Sequence, residues 1–168
     1  MKRNLMMAGV GLLVFACGLI GAAAKANFSG TWTLDKSKSE GLPPAIKAQV
    51  MTVTQAEDKL TIESKMTTEQ GDQTVSDVYT LDGKPADFTA KGPGGAEGKG
   101  KRTAKWSADG NGIEVSEAIT YEPPNGPVAV DVTRKWTLSA DGNTLTIDMN
   151  IASPMGTQQI KRVLVKKA

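Results

Sequence analysis

The sequence predicts an all-β protein, an antiparallel up-and-down barrel of about 8–10 strands. Three observations carry that expectation. Apolar and polar residues alternate through most of the chain after residue 27, the period of a strand with one enclosed face. The alternating runs are separated by short turn clusters such as Asp109-Gly110-Asn111-Gly112 and Asp141-Gly142-Asn143, which join neighbouring antiparallel strands. No segment after the first 26 residues sustains a helical period, so no helix covers the apolar face. A sheet of this kind either closes on itself or folds into a sandwich, and its short connections favour the barrel, because Greek-key returns are long. Closure also removes aggregation-prone edges.

Taken in order, residues 1–26 read as a secretory signal peptide. Lys2 and Arg3 form the basic end, an apolar run follows from Leu5 to Ile20, and Ala24-Lys25-Ala26 supplies a small-x-small cleavage pattern. The expected mature chain starts at Asn27. A permanent membrane anchor is the rival reading, but Gly9, Gly11, Gly18 and Gly21 interrupt the run and no basic stop-transfer flank follows. No integral membrane span is therefore expected after processing, and the localisation expected is periplasmic or extracellular. A second rival is a lipoprotein anchored at Cys17, because Val14-Phe15-Ala16-Cys17 resembles a lipidation box. Phe15 and the apolar residues after Cys17 weigh against it.

Residues 27–168 form one expected domain, long enough to bury a core without staples. Loss of the leader takes Lys2, Arg3 and Lys25 but no acid, so 20 basic and 18 acidic residues become 17 and 18. The leader carries +3 and the remaining chain −1, so the precursor's +2 comes from its leader's three cations, and net charge gives no reason to expect nucleic acid. The lysines and arginines near 99–105 and 161–167 read as solvated strand edges, and three phenylalanines in the whole chain are too few for a stacking platform.

The opening strand is Phe28-Ser29-Gly30-Thr31-Trp32-Thr33-Leu34, with Phe28, Gly30, Trp32 and Leu34 on one face. Residues 36–47, carrying Pro43-Pro44, read as a loop crossing one end of the barrel, since tandem proline forbids a regular helix. Strands are then expected at 48–55, 59–68, 74–81, 86–91, 101–107, 112–121, 128–138, 143–152 and 157–166. The glycine-rich stretch 92–100 reads as a mobile loop at the mouth, with Lys99, Lys101 and Arg102 as an anion gate. An echo, Trp106-Ser107-Ala108-Asp109-Gly110 and Trp136-Thr137-Leu138-Ser139-Ala140-Asp141-Gly142, reads as a recurring hairpin solution; two copies are too few for a solenoid or propeller.

At this point the residues resemble a family. Phe28-Ser29-Gly30-Thr31-Trp32 is similar to the strand that opens lipocalins and fatty-acid-binding proteins, the calycin group, and Ile160-Lys161-Arg162-Val163-Leu164 to their last strand. The resemblance implies a closed end built by Gly30 and Trp32 with Arg162 lying across the indole. Most of the chain from 27 onward also resembles a group of uncharacterised bacterial secreted proteins of lipocalin-like pattern, through Gly30 to Ser39, Tyr79-Thr80-Leu81-Asp82-Gly83-Lys84, and Trp136 to Ile147. That resemblance implies a fold and brings no established activity. Two departures separate the chain from fatty-acid-binding proteins. Leu164 stands where their head-group clamp has a tyrosine two residues after the arginine, and the 36–47 loop is too short for their two capping helices.

Chemistry narrows by exclusion. The sequence has no histidine, and its one cysteine lies in the leader, so imidazole or thiolate catalysis, most zinc sites and histidine-ligated haem are unavailable. No metal site, no cofactor and no catalytic residue is assigned. Gly95-Ala96-Glu97-Gly98-Lys99-Gly100-Lys101-Arg102 nearly fits a phosphate loop, but Arg102 replaces the hydroxyl and no helix pattern follows. Parity turns Asp77, Tyr79, Glu117, Tyr121 and Arg134 inward. Arg134, Trp136, Tyr79, Glu117 and Tyr121 are thus the ligand-binding candidates, a polar wall in an apolar pocket. The competing account is an internal ion-pair network, Arg134 or Arg162 with Glu117 or Asp77.

Two readings follow. One is a secreted or periplasmic barrel that carries or sequesters a small apolar or amphipathic ligand. The alternative is an envelope structural or protein-interaction module whose barrel is filled. An enzyme using Asp77 or Glu117 as acid and base ranks third, with nothing fixing their spacing. Nothing in the sequence specifies an oligomeric state.

Overall fold

The computed structural model describes residues 25–92 and 95–167. The predicted leader, Cys17 included, lies outside the described residues except for Lys25 and Ala26. Among the described residues ten strands form one sheet: β1 (Gly30–Leu34), β2 (Ile46–Ala56), β3 (Lys59–Thr68), β4 (Gly71–Thr80), β5 (Ala86–Lys91), β6 (Glu97–Trp106), β7 (Gly112–Tyr121), β8 (Val128–Leu138), β9 (Thr144–Ser153) and β10 (Gly156–Lys166). Their order is β4-β3-β2-β1-β10-β9-β8-β7-β6-β5. Every pairing is antiparallel between sequence neighbours, except that β1 also pairs β10 and so brings the first and last strands together. The sheet is an up-and-down barrel with one open seam, because β4 and β5 do not pair.

The seam is shut at one end. The connector from β4 to β5 pairs with the end of β6 through Asp82 and Lys105, and the Gly83 N–H donates to the Ala104 carbonyl at 2.9 Å. At this same end lies the apolar core. Phe28, Trp32, Leu60, Ile113, Leu145 and Leu164 are buried there, and the Phe28 ring sits 6.1 Å from Trp106 and 6.2 Å from Trp136. Trp32 anchors its own strand by donating from Nε1 to the Phe28 carbonyl at 3.0 Å. This end is closed by aromatic packing; the other, where β7 and β9 end and β8 and β10 begin, is the mouth.

The echo is the same hairpin built twice. In each copy the serine hydroxyl donates to the aspartate Oδ1 at 2.5 Å, Ser107 to Asp109 and Ser139 to Asp141, and each serine Oγ accepts a backbone N–H at the start of the next strand. The serine bond, first, and the backbone N–H donors hold both aspartates below the usual carboxylate range.

Two expectations are corrected. The glycine-rich stretch is not a loop throughout: residues 97–100 belong to β6, paired with β5 and, from Gly98 on, with β7 as well. The glycines are there because neighbours come too close for a side chain. A Cβ on Gly98 would lie 2.6 Å from the Tyr121 ring, and one on Gly100 would lie 2.1 Å from the Ala118 carbonyl oxygen. The first part of the 36–47 segment does not cross an end but continues from β1 along β10, where the Asp35 N–H donates to the Val163 carbonyl at 2.8 Å and Glu40 bridges Lys161.

Outside the barrel, directly opposed residues form a row of alternating sign: Asp82, Lys105, Glu114, Lys135, Asp148, Lys161 and Glu40, each the cross-strand partner of the next. Within it Lys105 reaches Glu114 at 3.1 Å and Lys161 reaches Glu40 at 3.8 Å.

Candidate functional site

Three layers stack inside the barrel between the closed end and the mouth. The lowest is the aromatic floor, and Trp136 belongs to it: it is 3% exposed, with the Tyr79 ring edge-on at 6.1 Å. Tyr79 is buried beside it, and burial, first, with the charges of Asp77 and Glu117 helping, pushes its phenol up to about 12. Both sequence-derived candidates are therefore packed groups, and Trp136 roofs the core.

The middle layer is charged. Parity placed Glu117, Arg134 and Asp77 inside, and the structure joins them through a residue that parity reasoning passed over, Arg102. Its Nε donates to Glu117 Oε1 at 2.5 Å and its Nη2 to Asp77 Oδ1 at 2.9 Å, while Arg134 Nη1 donates to Glu117 Oε2 at 2.5 Å. The Glu117 side chain is 1% exposed and has an arginine on each oxygen. That arrangement is what a buried carboxylate requires. Arg102 is also sandwiched, its guanidinium carbon 4.6 Å from the Tyr79 ring centre and 4.1 Å from that of Phe88. Since Tyr79 and Asp77 stand on β4 and Phe88 on β5, this one side chain spans the open seam. Arg102 is accordingly no anion gate. Lys101, the next residue, points outward to Asp87 at 2.7 Å.

Arg162 behaves differently. The resemblance laid it across Trp32, but Trp32 is registered opposite Lys166, and it is Lys166 whose ammonium lies 5.3 Å from the indole centre. Arg162 is four residues away along β10, about 13 Å at the rise of a strand. It is partly buried, makes no salt bridge among the described residues, and its Nε is buried without a hydrogen-bond partner. Burial, first, and then the positive charge of Arg134 pull it below the ordinary arginine value, though a guanidinium remains charged in a protein. Among the described residues the interior thus holds three arginines against two carboxylates, and Arg162 is the one left over.

The upper layer is apolar. A cleft of about 640 Å³ at the mouth is lined by Tyr121, Val128, Val130, Ile151 and Met155, with Gln158 on its polar side. Tyr121 is the one sequence-derived candidate that faces it. A second cleft of about 620 Å³ lies on the outer face among Glu40, Glu114, Lys135, Asp148 and Lys161. Volume does not choose between them. Chemistry does, because the outer charges already face opposite charges across the strands, whereas the inner cleft has a mainly apolar lining and Arg162, unpaired among the described residues, lies four residues along β10 from its Gln158, about 13 Å at the rise of a strand. No group of histidine, cysteine and carboxylate side chains suited to a metal ion occurs among the described residues.

No family model matches the chain, and no curated protein sequence matches it. Among solved structures it is similar to the zebrafish ileal bile acid-binding protein crystallised with cholic acid, with a TM-score of 0.51 and 18% identity over 83% of this chain and 98% of that one. It is also similar to secretory abundant heat soluble protein 4 of Ramazzottius varieornatus, with a TM-score of 0.50 and 12% identity over 84% of this chain and 95% of that one. At these identities the likeness is one of fold, the calycin-like barrel.

Proposed function

We propose that this protein is an exported binding barrel, periplasmic or secreted, that holds a small amphipathic molecule with its acidic end toward Arg162 and its apolar body in the mouth cleft. The observation that carries the reading is the interior guanidinium of Arg162, which has no partner among the described residues. A partly buried charge without a partner has lost hydration that nothing among the described residues replaces, and the acidic end of a ligand would supply the replacement. Arg134, one of the ligand-binding candidates named from the sequence, is engaged by Glu117. The apolar lining of the mouth cleft suits the rest of such a ligand. A protein of the same fold holds cholic acid, which illustrates what a barrel of this shape accommodates. The alternative, a filled interaction module, describes the lower half of the barrel well: floor and charged layer are packed. It leaves the upper cleft and Arg162 without a role.

The test compares a fluorescent long-chain carboxylate probe with its neutral methyl ester, titrated into the wild type and Arg162→Gln. Loss of one charge-assisted contact of about 1.5–3 kcal/mol corresponds to roughly ten- to a hundredfold weaker binding of the acid, with the ester little changed. Equal binding of both probes to both proteins removes Arg162 from the site. Absence of saturation with either probe, together with no small molecule retained in native mass spectrometry of the exported protein, replaces the carrier by the interaction module.

A further inference from the structure

The closed end is completed by residues that the leader reading had discarded. Ala26 packs against the core, its N–H donates to the Gly110 carbonyl at 3.0 Å, and its carbonyl accepts from Gln55 Nε2 at 3.1 Å. The same Gln55 side chain accepts the Phe28 N–H through Oε1 at 2.9 Å, so one amide clamps the chain on both sides of Asn27. Lys25 adds a salt bridge to Asp58 at 2.7 Å and places its ammonium 5.1 Å from the centre of the Trp106 ring. A chain beginning at Asn27 would keep the Phe28 bond to Gln55 and lose all the others. It would leave the Gly110 carbonyl and one side of the Gln55 amide without their partners, and would put a new ammonium one residue from fully buried Phe28.

The sequence offers a second small-x-small pattern two residues earlier, Ala22-Ala23-Ala24. We infer that the leader is removed after Ala24, so that the mature protein begins Lys25-Ala26-Asn27 and those first residues cap the closed end of the barrel. The step is hydrolysis by a signal peptidase: water adds across the Ala24–Lys25 peptide bond, Ala24 leaves with the new carboxylate, and Lys25 keeps the amine, protonated, as the chain's new terminus. The exposed position of Lys25 lets that ammonium stay in water. The inference rests on the export reading, and it changes what the folded domain contains.

Intact mass of the protein exported by a Gram-negative host from the full precursor tests it. A product beginning at Lys25 is the expected result. A product lighter by one lysine and one alanine overturns the inference while leaving export standing, and so does an acylated product beginning at Cys17. Unprocessed precursor retained in the cytoplasm overturns the export reading and the cut with it. Ala26→Leu separates the two patterns, because Ala26 is the residue before the cut in the later pattern and lies beyond it in the earlier one. Processing should continue unchanged in this variant, and its arrest refutes the inference. Purified chains starting at Lys25 and at Asn27 should differ in Tm by several degrees, with Asp58→Asn lowering only the longer one; identical melting would mean that the terminal contacts contribute nothing.

Discussion

Replacing Glu117 by glutamine should be among the most damaging single changes in the interior. The side chain is 1% exposed and receives one guanidinium on each oxygen, both at 2.5 Å. Glutamine keeps the volume but offers one acceptor and turns an amide donor toward an arginine. Two charge-assisted bonds at about 1.5–3 kcal/mol each give a gross loss of roughly 3–6 kcal/mol. Arg102 retains Asp77, and the Arg134 side chain is 20% exposed, so relaxation and solvent should recover part. A net cost of about 3 kcal/mol is therefore expected, near the lower end for breaking a buried ion pair, and Tm should fall by about 10 °C for a domain of this size. Glu114 is the internal control, on the same strand but the outer face, 46% exposed and 3.1 Å from Lys105. Glu114→Gln should cost less than about 1 kcal/mol. Urea unfolding followed by tryptophan emission gives both numbers, with unchanged slopes certifying that stability alone moved. A cycle with Arg134→Met should show strong non-additivity. If Glu117→Gln costs no more than Glu114→Gln, the charged layer does not hold the barrel together.

Gly100→Ala should be worse than Gly98→Ala, because its Cβ would press on the Ala118 carbonyl oxygen, which is backbone, whereas Gly98 meets the Tyr121 and Ile119 side chains. Overpacking of this kind costs about 1–3 kcal/mol, and thermal melts of the two variants rank them; the reverse order would refute the reason given for the glycines in β6. Stability should also fall on the alkaline side. Tyr79 holds its proton more tightly folded than unfolded, so its contribution is intact below pH 10 and is lost as pH rises from 10.0 toward about 12, a change of roughly 2–3 kcal/mol. Tyr79→Phe should flatten that limb, and a wild-type profile identical to the variant's would contradict it. Lys166→Ala should shift Trp32 emission and cost about 0.5–1 kcal/mol, whereas Arg162→Leu should leave that emission unchanged; the opposite pattern restores the closure inferred by resemblance.

Strand positions were legible because period-two alternation and turn residues are local properties, and most boundaries were placed within a few residues. The start of β6 was missed for a physical reason. Gly98 and Gly100 carry no side chain to show alternation, and what excludes a side chain there is Tyr121 and Ala118, some twenty residues further on. Arg102 shares parity with Ala104 and Trp106, so its inward direction could have been read, but the adjacent Lys99 and Lys101 made it look like one of a solvated cluster. Arg162 was misplaced because only the pairing of β1 with β10 shows that Lys166, and not Arg162, stands opposite Trp32. The unpaired seam has no sequence signal, since β4 and β5 are joined by as short a turn as strands that do pair.

The row of alternating charges on the outer face bears on a problem that the core cannot solve. A slip of one residue between neighbouring strands turns the apolar face outward and is rejected by burial. A slip of two residues keeps every side chain on its proper face, so the core discriminates against it only through shape. Sliding β8 by two against β7 would set Glu114 opposite Thr133 or Thr137 instead of Lys135, and would likewise mismatch Lys135 with Asp148 on the far side. Each cross-strand ionic pair is worth only about 0.2–1 kcal/mol, little as a source of stability. Repeated across consecutive strands, the row acts as a vernier that tells the native alignment from its nearest face-preserving neighbour. Reversing one charge in it should broaden the folded ensemble before it lowers the melting temperature, and reversing every charge together should restore a single alignment.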